Sequence, residues 1–262
     1  MTRSGFLLRL RLFLALALFS SPALFAQVPA PVLAPAATEA SDTKIDGMVK
    51  ETQKQIGGKN LAGIVWWVPA EFWEESAMQQ GSSLQQARET FGSLREYTMI
   101  IVLAGKIGIG NINWYSENEL RSNTSLHDAD GQIYKPLTDV SGDAAGVISI
   151  IKPVMANILG PAGQNLQILF FPSKTRSGML IADPIREGRF AISIENLPGT
   201  KPLSFEWLLP LTSLTPAKFC PVGKERVEAN WKYCPWHGVK LPDNIPPAIP
   251  LVEMKPKENR PQ

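Results

Sequence analysis

Both cysteines of the chain and one of its two histidines lie in its last fifth. They occur as Cys220-Pro221-Val222-Gly223 and, further on, Tyr233-Cys234-Pro235-Trp236-His237-Gly238. Thiolate sulfur and imidazole nitrogen are the donors that borderline-soft metal ions take. Cys234 and His237 are separated by two residues. A tight turn at Pro235-Trp236, with a glycine after it, lets both point at one ion while backbone amides face the sulfur. Three ligands stand out: Cys220, Cys234 and His237. Glu225, Glu228 and Asp243 are close enough in sequence for one of them to complete the set, with water as the other candidate for the fourth position.

The segment Tyr233-Cys234-Pro235-Trp236-His237-Gly238-Val239-Lys240-Leu241 resembles the second knuckle of a zinc ribbon, with His237 in place of the second cysteine. The resemblance implies a first knuckle of the form Cys-Pro-x-Cys-Gly. This chain has Cys220-Pro221-Val222-Gly223-Lys224 there, so a ligand is replaced by Gly223 or deleted. Three readings of the degenerate hairpin stand side by side. Packing of Phe219, Trp231, Tyr233 and Trp236 holds it; or a Cys220–Cys234 disulfide closes it, worth about 3 kcal/mol in the chain-entropy model; or zinc binds.

The other candidate chemistry is weaker. His127-Asp128-Ala129-Asp130-Gly131 has the opening of a calcium loop but lacks its distal glutamate, and reads as a plain turn. Trp66, Trp67, Trp73 and Trp114 could make an aromatic platform for a sugar. Trp66 and Trp67 are adjacent, so a strand sends them to opposite faces and at most one is exposed if one face alone is buried. Glu71, Glu74 and Glu75 suit the first turns of a helix but have no acid/base partner at a defined spacing. Gly105-Lys106-Ile107-Gly108-Ile109-Gly110 lacks the trailing Gly-Lys-Ser/Thr of a phosphate loop. No Gly-x-Ser-x-Gly occurs. No catalytic constellation emerges, and the chain reads as a non-enzyme.

The elements that must position these residues follow from composition and periodicity. Arg3, Arg9 and Arg11, an apolar Leu12–Phe19 run and Ala23-Leu24-Phe25-Ala26 read as a signal peptide spanning residues 1–26. It is short of the ~20 apolar residues of a spanning helix, so no membrane span is expected after cleavage. Three of the 26 basic residues leave with it and none of the 24 acidic ones. The remaining formal charge of −1 has no footprint for nucleic acid. Export implies a periplasmic or extracellular location, where free thiols are uncommon.

Residues 27–43 form a Pro/Ala linker. Residues 44–97 read as a helical region with one strand: a helix to about Ile56, a buried strand over Leu61–Val68, then helices over Ala70–Gln79 and Ser83–Tyr97. Residues 98–215 read as a β-sandwich. Its strands fall over Met99–Ala104, Ile107–Tyr115, Ile133–Tyr134, Leu166–Phe171, Met179–Ile181, Phe190–Ile194 and Leu203–Leu209, with one inserted helix over Asp143–Leu159, kinked or split at Pro153. Residues 216–241 are the hairpin, and 242–262 an extended or disordered tail. Thr124 to Tyr134 with Asp128–Gly131 as its turn, and later Leu169-Phe170-Phe171-Pro172, resemble immunoglobulin-like sandwiches of secreted bacterial proteins. The expected fold class is mixed and β-dominated: an antiparallel immunoglobulin-like sandwich with added helices and a small ribbon-like hairpin. The expected function is an exported, non-catalytic binding or interaction protein, its partner another envelope protein or a glycan. The alternative is a metal-binding protein or metal-dependent enzyme using Cys220, Cys234 and His237.

Overall fold

Hydrophobic strands alternating with short capped helices build a mixed, sheet-dominated fold in the computed structural model, which describes residues 44–58 and 60–242. The signal, the linker and the tail beyond Pro242 lie outside the described residues. Helix α1 (Lys44–Thr52) leads into strand β1 (Gln53–Ile56), which turns back along β2 (Leu61–Trp67). Helices α2 (Ala70–Gln79) and α3 (Leu84–Phe91) and a 3-10 turn (Gly92–Glu96) follow. Then come β3 (Tyr97–Ile107), β4 (Ile112–Trp114), α4 (Glu117–Asn123), β5 (Thr124–His127), β6 (Ile133–Tyr134) and α5 (Gly142–Ile158). Strands β7 (Gln167–Pro172), β8 (Gly188–Ile194) and β9 (Leu203–Leu209) complete the domain; β10 (Lys218–Phe219) and β11 (Arg226–Val227) belong to the C-terminal hairpin.

Two antiparallel sheets result. One runs β1-β2-β3-β4, with β7 also paired to β3; the other runs β6-β5-β8-β9. Helices cover one side of the first sheet and the second sheet covers the other, and the two tryptophans of β2 show it. Trp66 meets Phe72 of α2 edge-on at 5.2 Å and donates its indole N–H to Thr52 Oγ1 at 2.9 Å. Trp67 points the other way, to Phe190 of β8 at 5.0 Å, and Phe190 stacks on Trp207 of β9. Both are buried because both faces of the strand are covered. The expectation that one would face solvent applies only to a sheet with one wet side.

Several elements differ from expectation. The first helix stops at Thr52 because residues 53–56 take up ladder bonds to β2, from Gln53↔Trp66 to Ile56↔Gly63. Residues 44–97 therefore supply two strands. The helix expected to reach Tyr97 tightens after Phe91 into a 3-10 turn, and β3 begins at Tyr97. The strand expected over 107–115 breaks at a turn in which Gly108 N–H donates to Asn111 O and Gly110 takes φ +79°. Residues 179–181 make a single bridge, Lys174↔Leu180, and no strand. Helix α5 is not split at Pro153. That residue is exposed, so the carbonyl deprived of its partner faces water. Among the described residues no helix is long and apolar enough to cross a membrane.

Candidate metal centre

The hairpin folds around two turns with the same backbone. Cys220 N–H accepts its partner five residues on, donating to Glu225 O at 3.0 Å, while Lys224 N–H donates back to Cys220 O at 3.0 Å. In the second turn Cys234 N–H donates to Val239 O at 2.9 Å and Gly238 N–H to Cys234 O at 2.8 Å. The fifth residue of each turn, counting the cysteine as the first, has left-handed φ: +61° at Lys224 and +64° at Gly238. Glycine adopts that conformation freely and lysine at some cost. Strands β10 and β11 flank the first turn, and the bridge Tyr233↔Lys240 closes the second.

This repeat places Gly223 where the second turn has His237. The sequence position that lacks a ligand is thus glycine in fact, and the fourth donor comes from two residues beyond it. Glu225 Oε1 lies 3.0 Å from His237 Nδ1 and accepts from Cys234 Sγ at 3.3 Å. His237 Nδ1 is 3.5 Å from each of Cys220 Sγ and Cys234 Sγ. The four donor atoms all lie within 4.8 Å of one another. They could hold a metal ion. A Cβ on Gly223 would overlap Glu225 Oε2 and come 2.6 Å from His237 Cε1. The missing side chain is the space that Glu225 and His237 occupy.

Electrostatics follow from this crowding. The Glu225 carboxyl is held below the usual carboxylate range, first by its own backbone amide and then, against some burial, by the two thiols and His237. Burial pushes the Cys234 thiol up, and the backbone amides of His237 and Trp236 pull it back. Those amides are aimed at the sulfur, as the Pro-x-His-Gly turn predicts.

Of the sequence candidates, Cys220, Cys234 and His237 meet in one place. Of the three nearby carboxylates, Glu225 joins them. Glu228 instead accepts from Thr212 Oγ1 at 2.7 Å, and Asp243 lies outside the described residues. No sulfur–sulfur bond joins the cysteines, which are buried free thiols. Aromatic packing does not close the hairpin either. Phe219, Tyr233 and Trp236 are more than half exposed, and its small core is Cys220, Val227, Cys234 and Leu241, with Trp231 and Val239 against it.

The remaining candidates are accounted for by structure. His127 sits on β5 with Nε2 3.2 Å from Ser125 Oγ. Asp128 accepts from the N–H groups of Asp130 and Gln132 and from the Tyr134 hydroxyl, the bonds of a turn. Glu74 is buried and takes a two-pronged bond from Arg95, at 2.9 Å on each oxygen; Arg95 also reaches Glu71 at 2.6 Å, and these carboxylates raise its pKa further. Glu75 pairs with Lys44. Trp66, Trp67 and Trp73 are buried, so they form no exposed platform.

The hairpin is fixed to the domain at one corner. The N–H groups of Thr212 and Ser213 donate to the two oxygens of Glu51 in α1 at 2.7 and 2.9 Å. Burial pushes the Glu51 carboxyl up and those amides oppose it. The Thr212 hydroxyl donates to Glu228 and accepts from Ala229 N–H at 3.1 Å. Lys232 pairs with Glu187 at 2.8 Å. Comparison with protein-family models, curated proteins and solved structures finds no match to this chain.

Proposed function

We propose that the chain is an exported, non-catalytic binding or interaction protein of the periplasm or cell envelope, and that its C-terminal hairpin is a zinc ribbon. Cys220, Glu225, Cys234 and His237 hold one ion as a structural cross-link. The observation that carries this reading is the convergence of four donors of the right types from two repeated turns. Zinc bonds of ~2.3 Å to sulfur and ~2.0 Å to nitrogen or oxygen give a tetrahedron whose N···S and O···S edges are roughly 3.5 Å and whose O···N edge is roughly 3.3 Å. The spacings here are 3.5 Å for both N···S pairs, 3.3 Å for O···S and 3.0 Å for O···N.

Four protein ligands leave no open position for substrate, which favours a structural over a catalytic ion. The hairpin also needs such a link. Two of its four core residues are the cysteines themselves, and segments below ~40 residues rarely hold a fold on apolar burial alone. Export rests on the arginines and apolar run of residues 1–26. The same export supports a partner in the envelope, another protein or a glycan. An immunoglobulin-like arrangement of the core belongs to this proposal, supported by two wholly antiparallel sheets that share one hydrophobic core.

Elemental analysis of the protein recovered from the exported fraction tests the reading. It should contain about one zinc per chain, lost in Cys234→Ala. Absence of metal together with a titration showing no free thiols would replace the ion by a disulfide.

A further inference from the structure

We infer a second binding site, for a small doubly charged oxyanion, in the cavity between the hairpin and the domain. It is independent of the zinc reading. The cavity has a volume of about 200 Å³, and its walls include Glu187, Lys218, Trp231, Lys232 and Lys240. Lys218 is more than nine-tenths buried, an uncommon place for an ammonium group. Its Nζ donates to the carbonyls of Ala229 at 2.9 Å and Trp231 at 3.0 Å, which anchor it in the cavity wall. Lys232 and Lys240 add two more cationic side chains, and Glu187, 2.8 Å from Lys232, is the one carboxylate in the lining. Three ammonium groups against one carboxylate give the cavity a formal charge of +2.

Size and charge select the ligand class. A water occupies ~30 Å³ of liquid, so the cavity holds only a few, and it falls short of the roughly 300–1,000 Å³ of pockets for drug-sized molecules. An anion of about five heavy atoms fits. A charge of +2 is best matched by a dianion, since attraction in a partly desolvated site exceeds that in water. Hydrogen phosphate and sulfate share that chemistry.

The test is calorimetric titration of the full chain at constant ionic strength with sodium phosphate, sulfate, acetate and chloride. Phosphate and sulfate should each saturate one site per chain, with acetate and chloride at least tenfold weaker. Lys240→Gln should weaken phosphate binding several-fold. Glu187→Gln should tighten it several-fold, an effect that no unfolded variant can imitate. Absence of a saturable site, equal binding of chloride, or variants indistinguishable from the parent protein would each overturn the inference. Zinc content measured in the same samples reports on the other site separately.

Discussion

The turn at Cys220 and the turn at Cys234 share a hydrogen-bond pattern and a left-handed residue at the same place, yet they present their donors differently. The second puts cysteine and histidine three residues apart, the spacing at which two side chains of one turn meet. The first leaves glycine at that position and brings Glu225 in from two residues further on, past Lys224 at φ +61°. A repeated backbone therefore does not require a repeated ligand pattern. What it requires is that a donor reach the same point in space, and a longer side chain starting further away can do so if nothing stands between. Gly223 is what leaves the path open.

This comparison can be broken in steps. Cys234→Ala or Cys220→Ala removes a thiolate from the centre and from the hairpin core together. Bound zinc should fall from about one per chain to near zero, with amide exchange accelerating across 218–241 while β3 and β8 stay protected. Next, Glu225→Ala and His237→Ala should weaken zinc by similar factors, at least ~10-fold each, as read by competition with a chromophoric chelator. An unchanged affinity in Glu225→Ala would mean that the first turn contributes its cysteine alone. Gly223→Ala should also weaken binding, because its Cβ takes the space of Glu225 and His237, whereas Gly223→Cys in the Glu225→Ala background should restore it by returning a donor to the place His237 holds in the other turn. Smallest are the backbone effects. Lys224→Gly should stabilise, and Gly238→Ala destabilise, by about 1 kcal/mol in chemical denaturation, since one residue bears the left-handed conformation unwillingly and the other does not.

The second turn was legible because its signal is local: Cys-Pro-Trp-His-Gly states its own spacing. The first was half legible. Its cysteine and the absent ligand at Gly223 could be read, but Glu225 stood level with Glu228 and Asp243, and only a left-handed lysine, where glycine is the usual occupant, brings it round. Elsewhere, apolar runs and alternation located β2, β3, β7, β8 and β9. Gln53-Lys54-Gln55-Ile56 reads as helix by propensity, and pairing with β2 overrides it. Helix α4 has a readable start, the Ser116/Glu119 capping box, inside a stretch otherwise dominated by strands. The burial of both Trp66 and Trp67 depends on what covers each face of the sheet, and no local pattern carries that.

Thr212 has a mechanical consequence. Glu51 grips the chain there through two amides, and Thr212 and the hairpin are joined in turn through two bonds, to Glu228 and Ala229. At each stage a pair shares the load, so the attachment behaves as a bracket and not as a string. A force applied at the hairpin is delivered to helix α1 as torque, and peeling the hairpin away demands that paired bonds fail together.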